Sequence, residues 1–586
     1  MPVDESFALE LQHTPRSVAP KSPSGSRFTA LAADKLRGGY YTPLEIAQWL
    51  CVWAIRDPGD RVLEPSCGDG VFLETAVLRL KHLGAPVSAI HRQVTGVEIL
   101  DAEADKARAR LLSLVTGSGI EESVVTEDFF EWCEDSRRPV FDAVVGNPPF
   151  IRYQAFPERS RERAMRSMAR RGLTPNRLTN IWVPFVVAAS ARLAPGGRLA
   201  LVLPAELLQV SYASQLRFFL ADRFKRIDIV ACNELFFEKA EQEVVLFLAE
   251  GARASPSTDN ICRVTLSQID TVNQILSDEP DQLLRRAQPK TLRHDTEKWL
   301  KYFLTEREID FMRRLRESKE VVSLDSHAEI DVGVVTGKNE FFVLSEDQLS
   351  EHSLHDFVVP LVARAAHLSG ATLKKSDWQA LARRGERVYL LHLNGQAHQR
   401  LPAAVKKYIQ IAEKQKTHKG YKCSIRTPWY SVPSVWIPDC FFFRQIYDFP
   451  RVVLNRAGAT ATDTIHRMTC KSPPEGVVAN TYTHLTAASA EIEGRSYGGG
   501  VLELEPTEAE RLLMPAKLVA AMPPQECDRL IRAGNLGKVL EENDRLILQQ
   551  GIGLSRGECK ILENIWAKMR NRRMNRRRRR MQLSKN

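Results

Sequence analysis

Residues 141–150 read FDAVVGNPPF, an apolar run closed by a glycine and followed by Asn147-Pro148-Pro149-Phe150. The run has the character of a buried strand. The tetrapeptide after it sets a polar amide, a rigid turn and an aromatic face at one point. Asn-Pro by itself is an ordinary turn pair, so its meaning depends on the neighbouring sequence.

On both sides, short apolar runs alternate with helix-like segments. Strand candidates are 61–65, 93–99, 122–128, 141–147, 197–204, 226–233 and 243–249. This is the pattern of an α/β doubly wound, mostly parallel sheet. The last two runs are too close together for a helical crossover, so an antiparallel hairpin at the sheet edge is expected. Domains are expected at 38–255 for this sheet, 256–320 for a helical connector, and 321–515 for a second, irregular β-rich α+β domain. Residues 516–586 are expected to form a helical segment with a basic tail, and 1–37, rich in Ser, Pro and Lys/Arg, a disordered N-terminus.

The 586 residues are 44% hydrophobic and 26% charged, a soluble globular composition. No membrane span is expected, since no run reaches about 18 apolar residues. The ten cysteines include no C-x-x-C pair, which argues for a reducing compartment and against a structural metal site. A cytoplasmic monomer is expected. The net charge of +10 equals the ten Lys/Arg of residues 568–586, a segment readable as a phosphate-binding arm or as a plain solvated terminus. Bulk charge therefore does not identify a nucleic-acid partner.

The first strand runs into VLEPSCGDGVFLETA (62–76), where Ser66, Cys67, Gly68 and Gly70 let backbone amides approach a ligand ahead of a helix N-terminus. The second strand ends at Glu98, placed to accept both hydroxyls of a ribose. The third ends at Asp128-Phe129, an acid able to accept from an adenine amine beside an apolar ring. Taken singly, an acid such as Glu98 or Asp128 is more often a solvated strand end or a helix N-cap. Together, Glu64, Glu98, Asp128 and Asn147 close four successive strands at the carboxyl edge where open α/β sheets bind ligands. The turn is not G-x-G-x-x-G, which argues against a dinucleotide dehydrogenase.

With GGYYTP (38–43), LEPSCGDG (63–70), GVEI (96–99), EDFF (127–130), GNPPF (146–150) and NELFFEKAEQEVVLF (233–247) in this order, the chain resembles the gamma-class, Taq-type DNA adenine methyltransferases of restriction–modification systems. The resemblance implies S-adenosylmethionine as methyl donor. Thr42, Glu64 and the 66–70 turn would surround its methionine half, Glu98 its ribose, and Asp128 with Phe129 its adenine. The side-chain oxygen of Asn147 and the carbonyl of Pro148, held by Pro149, would accept the two N–H groups of a target adenine. That would aim its lone pair at the methyl group. The target base must leave the duplex; Phe150 would stack on one face and Phe236, with Phe237 as fallback, on the other. Phe237 departs from the proline common in the family. Cys67 is read as a small turn residue, because amine methylation needs no covalent adduct.

The segment after the tetrapeptide, 151–177, holds eight arginines against two acids. Arg152, Arg159 and Arg163 are the candidates for DNA phosphates, against the alternative of an exposed charged helix. More loosely, VGVVTGKNEFF (332–342), Arg426 to Tyr430, NRAG (455–458) and GRSYGGGVLELEP (494–506) resemble target-recognition domains of larger methyltransferases, which read bases in the major groove. Trp429, Tyr430 and Trp436 are expected in the core rather than on bases. The expected partners are double-stranded DNA and a separate cognate endonuclease, as no nuclease core is recognisable. Rival readings are methylation of RNA adenine or of a protein glutamine, and a non-catalytic DNA-specificity subunit.

Overall fold

The computed structural model describes residues 41–583, apart from 116–118, 152–155, 175–178, 233, 235, 237–242, 255–261, 292–297, 397 and 498–499. The disorder expected at 1–37 therefore lies outside the described residues. The chain divides into two compact units, Met1–Phe303 and Leu304–Asn586.

The first unit is built on a nine-stranded sheet. Its strands are β1 (Val62–Glu64), β2 (Val94–Glu98), β3 (Val124–Thr126), β4 (Phe141–Gly146), β5 (Leu193–Pro204), β6 (Arg226–Cys232), β7 (Val244–Glu250), β8 (Arg263–Ile269) and β9 (Lys290–Thr291). The spatial order is β3-β2-β1-β4-β5-β7-β6-β8-β9. The first five strands are mutually parallel. The chain winds outward from β1 to β3 and then returns to place β4 on the other side of β1. The topological switch point, where such sheets bind ligands, therefore lies between the carboxyl ends of β1 and β4.

Burial on both faces explains the near-continuous apolar strands. Leu199 to Leu203 of β5 are at most 2% exposed. The covering helices include α1 (Leu44–Ala54), α2 (Val71–His82) and α3 (Asp101–Leu114), with α4 (Phe129–Trp132), α5 (Glu158–Ala169) and α6 (Trp182–Ala191) following. Helix α6, WVPFVVAASA, is apolar almost all round and nine of its ten residues are buried.

The expected hairpin forms, with β6 and β7 antiparallel, but it is not the sheet edge. β8 adds in parallel to β6, and β9 pairs antiparallel with β8. Residues 263–269 thus extend the sheet where a helical connector was expected. Val264, Thr265, Leu266 and Ile269 are buried, so side chains on both faces of this strand are covered.

The second unit carries sheets of five, four, three and two strands among many short helices. Its five-stranded sheet runs Ala328–Asp331, Ile465–Cys470, Cys440–Phe443, Val452–Arg456, Thr372–Lys374. An apolar cluster around Phe341, Phe342, Leu390 and Tyr408 includes Tyr430, with Trp429 packed against it. Trp436 lies under the guanidinium of Arg467, 4.4 Å from its ring centroid. Of the three aromatics expected in the core, Tyr430 is buried, while Trp429 and Trp436 are half-buried. The basic C-terminus is not a free arm at its start. It belongs to a helix, Arg556–Leu583, in which Arg573 is 1% exposed and paired with Glu491 at 2.5 Å.

Candidate active site

Four strand ends converge on the switch point, and hydrogen bonds join them into one array. Thr42, buried just ahead of α1, accepts from Nδ2 of Asn147 at 3.3 Å. Ser66 Oγ lies 3.4 Å from the backbone carbonyl of Asn147, tying the β1 turn to the β4 end. The Cys67 backbone N–H donates to the Val97 carbonyl at 3.0 Å, and the Gly68 N–H donates to Oε2 of Glu98 at 2.9 Å. The Glu127 N–H reaches the Glu98 carbonyl at 2.9 Å, which joins β2 to the residue before Asp128.

The turn needs its glycines for different reasons. Gly68 has φ +51, a conformation that favours glycine, and open space where a Cβ would stand. Gly70 has φ +85, and a Cβ there would meet Ala107 at 2.9 Å. One clamp escaped the sequence reading. Arg110 of α3 reaches back to Asp69 at 2.7 Å and to Glu74 at 2.5 Å, and also binds the Asp69 carbonyl. Its only signal was an acid inside the glycine turn, and nothing in the spacing linked that acid to an arginine forty-one residues on.

Two carboxylates have unmet acceptors. Asp128 is the N-cap of α4: its Oδ1 accepts from the backbone N–H of Phe130 at 2.8 Å and of Glu131 at 3.1 Å. Its Oδ2 is buried with no hydrogen-bond partner. The two alternatives for Asp128 thus fall on two different oxygens. Glu64 is 2% exposed and its Oε2 is likewise without a partner. Burial, then the nearby charge of Asp69, pushes the Glu64 carboxyl well above the ordinary range. An orphaned buried acceptor is costly, so each marks a place for a donor. Glu98 accepts from Gly68 and, through Oε1, from the Leu100 N–H at 3.0 Å. Burial raises its carboxyl and these backbone bonds oppose the shift. Each oxygen keeps a second lone pair. The Cys67 thiol is buried and pushed upward by that burial, which suits a turn residue and not a nucleophile.

Pro148 is buried, while Pro149 and Phe150 are half-buried, Phe150 packing on the main apolar cluster of this unit. Phe236 belongs to the same cluster at 6% exposure, so its ring lies in the core and not on an open loop; Phe237 is outside the described residues. Phe129 is 3% exposed, with Phe185 stacked on it at 5.3 Å and Trp132 at 6.1 Å.

The arginine segment is less available than its composition suggests. Arg163 pairs with Glu131 at 2.6 Å and Arg166 with Glu134 at 3.5 Å. Glu131 and Glu134 lie in and just beyond α4, so two acids outside the counted segment neutralise part of its excess. Arg163 is therefore not a ready phosphate ligand. Arg159 is exposed, and Arg152 lies outside the described residues.

Among the described residues, no group of three or more His, Cys, Asp or Glu could hold a metal, and no helix is long and apolar enough to cross a membrane.

The model of the N-6 DNA Methylase family matches residues 26–332, just over half of the chain. That of the Type II methyltransferase M.Eco57I C-terminal domain matches residues 296–548. The chain is 20% identical to Type II methyltransferase M.AccI of Acinetobacter calcoaceticus over 83% of its own length and 87% of the relative's. It is 22% identical to M.XamI of Xanthomonas campestris pv. amaranthicola, covering 82% and 85%. With M.BstVI of Geobacillus stearothermophilus the identity is 25%, covering 53% and 59%.

Proposed function

This chain belongs to the N-6 DNA methylase family and is a DNA adenine methyltransferase; on that premise we propose that its methyl donor is S-adenosylmethionine and that its target adenine is turned out of a DNA duplex. The observation that carries the donor assignment is the orphaned Oδ2 of Asp128, in line with Glu98 and the Gly68 turn. Glu98 accepts the ribose hydroxyls, Asp128 Oδ2 accepts from the adenine amine, and Gly68 with Thr42, Ser66 and Glu64 surrounds the methionine half. When bound, the cofactor supplies an electrophilic methyl group on a sulfonium.

The chain's own residues prepare the acceptor amine. Thr42 holds the NH2 end of the Asn147 amide, which fixes its oxygen as the acceptor end. That oxygen and the Pro148 carbonyl take the amine's two N–H groups and draw its nitrogen toward pyramidal geometry. The lone pair is then released from the ring and directed to the methyl group. Neither neutral oxygen is a strong base, so the proton displaced after transfer leaves to water. Pro149 keeps the turn rigid and Phe150 offers a face to the base. The kinship with Type II methyltransferases supports a place in restriction–modification; on this reading the chain works as a monomer in the cytoplasm, beside a separate endonuclease.

Asp128→Asn tests the donor site. Asparagine caps a helix as well as aspartate, but it has one oxygen where the wild type uses two. Cofactor affinity is expected to fall at least tenfold, by about 1.4 kcal/mol or more, while the thermal midpoint stays near that of the wild type. Unchanged affinity in a stably folded Asp128→Asn variant would remove Asp128 from the site.

A further inference from the structure

A second basic segment, in the other unit, is not neutralised. Residues 403–426, AAVKKYIQIAEKQKTHKGYKCSIR, hold six lysines and one arginine against a single acid. They form the helix Ala403–Lys414, a tight turn at Thr417–Lys419 and a short helix Tyr421–Ser424. Val405, Tyr408, Ile409, Ala412 and Cys423 are buried in the unit's apolar cluster, which fixes the opposite face outward. Lys414, Lys416, Lys419 and Lys422 are exposed, and among the described residues none has a carboxylate within ion-pair distance. The one acid, Glu413, accepts from Trp429 Nε1 at 2.9 Å.

The turn is rigid and carries apolar groups outward. Arg426 donates to the Thr336 and Val335 carbonyls at 2.7 Å each, anchoring the turn to the neighbouring loop. Lys416 has φ +61, one of three non-glycine residues in the left-handed region among those described; glycine would sit there more easily. Tyr421 is 75% exposed and Ile425 64%. Exposed cations beside exposed apolar side chains suit a polyanion with apolar groove walls.

We propose that the turn at 414–425 docks on duplex DNA, with Lys416, Lys419 and Lys422 on phosphates and Tyr421 and Ile425 directed into a groove. This rests on the reading of duplex DNA as substrate and places its backbone contact here in preference to the ion-paired Arg163 helix. An acidic protein surface is the competing occupant.

The test uses the full chain and a mixed-sequence duplex titrated across salt. Each lost phosphate contact makes the slope of log K against log salt shallower by about 0.9, so Lys416→Gly/Lys419→Ala/Lys422→Ala is expected to lose about 2.7. Affinity at about 0.1 M salt should fall at least tenfold. Cofactor affinity should not move, and Lys419→Arg/Lys422→Arg should keep the wild-type slope. Unchanged slope and affinity in the triple variant overturn the proposal. Should that variant be unstable, amine acylation of the wild type decides: duplex DNA must protect these lysines, and full reactivity overturns the assignment. A wild type that binds no duplex at all would instead bring down the substrate reading, a result visible before any variant is made.

Discussion

Glu64, at the end of β1, is buried beside Asp69 and Glu98, and its carboxyl is raised well above the ordinary value of 4.5 chiefly by burial. At low pH it is neutral in both folded and unfolded chains. Above 4.5 the unfolded chain ionises first, so stability is lost as pH rises toward the folded value. The midpoint of the first unit should therefore fall between pH 5 and pH 8 more steeply in the wild type than in Glu64→Gln. Parallel curves would mean that the carboxyl is not held neutral. Position along the strands made Glu64, Glu98, Asp128 and Asn147 legible in the sequence, because a strand end maps to one edge of a sheet. Solvent access was not legible. Phe129 and Phe236 have the right residue type at the right place, but their rings lie in the core, and packing partners such as Phe185 come from distant segments.

Elements were read where their apolar period was clear. The seven runs between 61 and 249 match β1 to β7 to within a few residues, whereas β8 and β9 were missed because they lie in charged sequence that resembles a connector. The C-terminal helix was expected, but the pairing of its arginines was not. Its arginines look solvated, yet Arg573 makes a two-point pair with Glu491, at 2.5 and 3.2 Å, and also donates to the Tyr447 carbonyl at 3.0 Å. Arg570 pairs with Asp448 at 2.8 Å. Removing one member of the buried Arg573–Glu491 pair strands a buried charge, at about 3–5 kcal/mol. Arg573→Ala should destabilise the second unit in denaturant by roughly that amount, and Arg573→Met/Glu491→Leu should recover most of it. A melt indifferent to Arg573→Ala would return the segment to a loose arm.

At the scale of the molecule, the two units carry different features. The first holds the four strand ends, the clamped glycine turn and the Asn-Pro-Pro-Phe carboxyl edge of β4; the second carries an uncompensated basic face on a rigid turn. Composition could not separate these, since the formal charge of +10 is matched by the last nineteen residues, some of which are spent on internal pairs. The arginine count after the tetrapeptide misled in the same way, because Glu131 and Glu134 come from the preceding segment. The proposed chemistry is methylation of adenine through Asn147. The most direct measurement incubates the full chain with mixed-sequence duplex DNA and S-adenosylmethionine, then quantifies modified nucleosides by mass spectrometry after digestion. N6-methyldeoxyadenosine should accumulate with the wild type and fall at least roughly a hundredfold with Asn147→Ala. Absence of that nucleoside with the wild type, or undiminished yield from Asn147→Ala, would contradict the account.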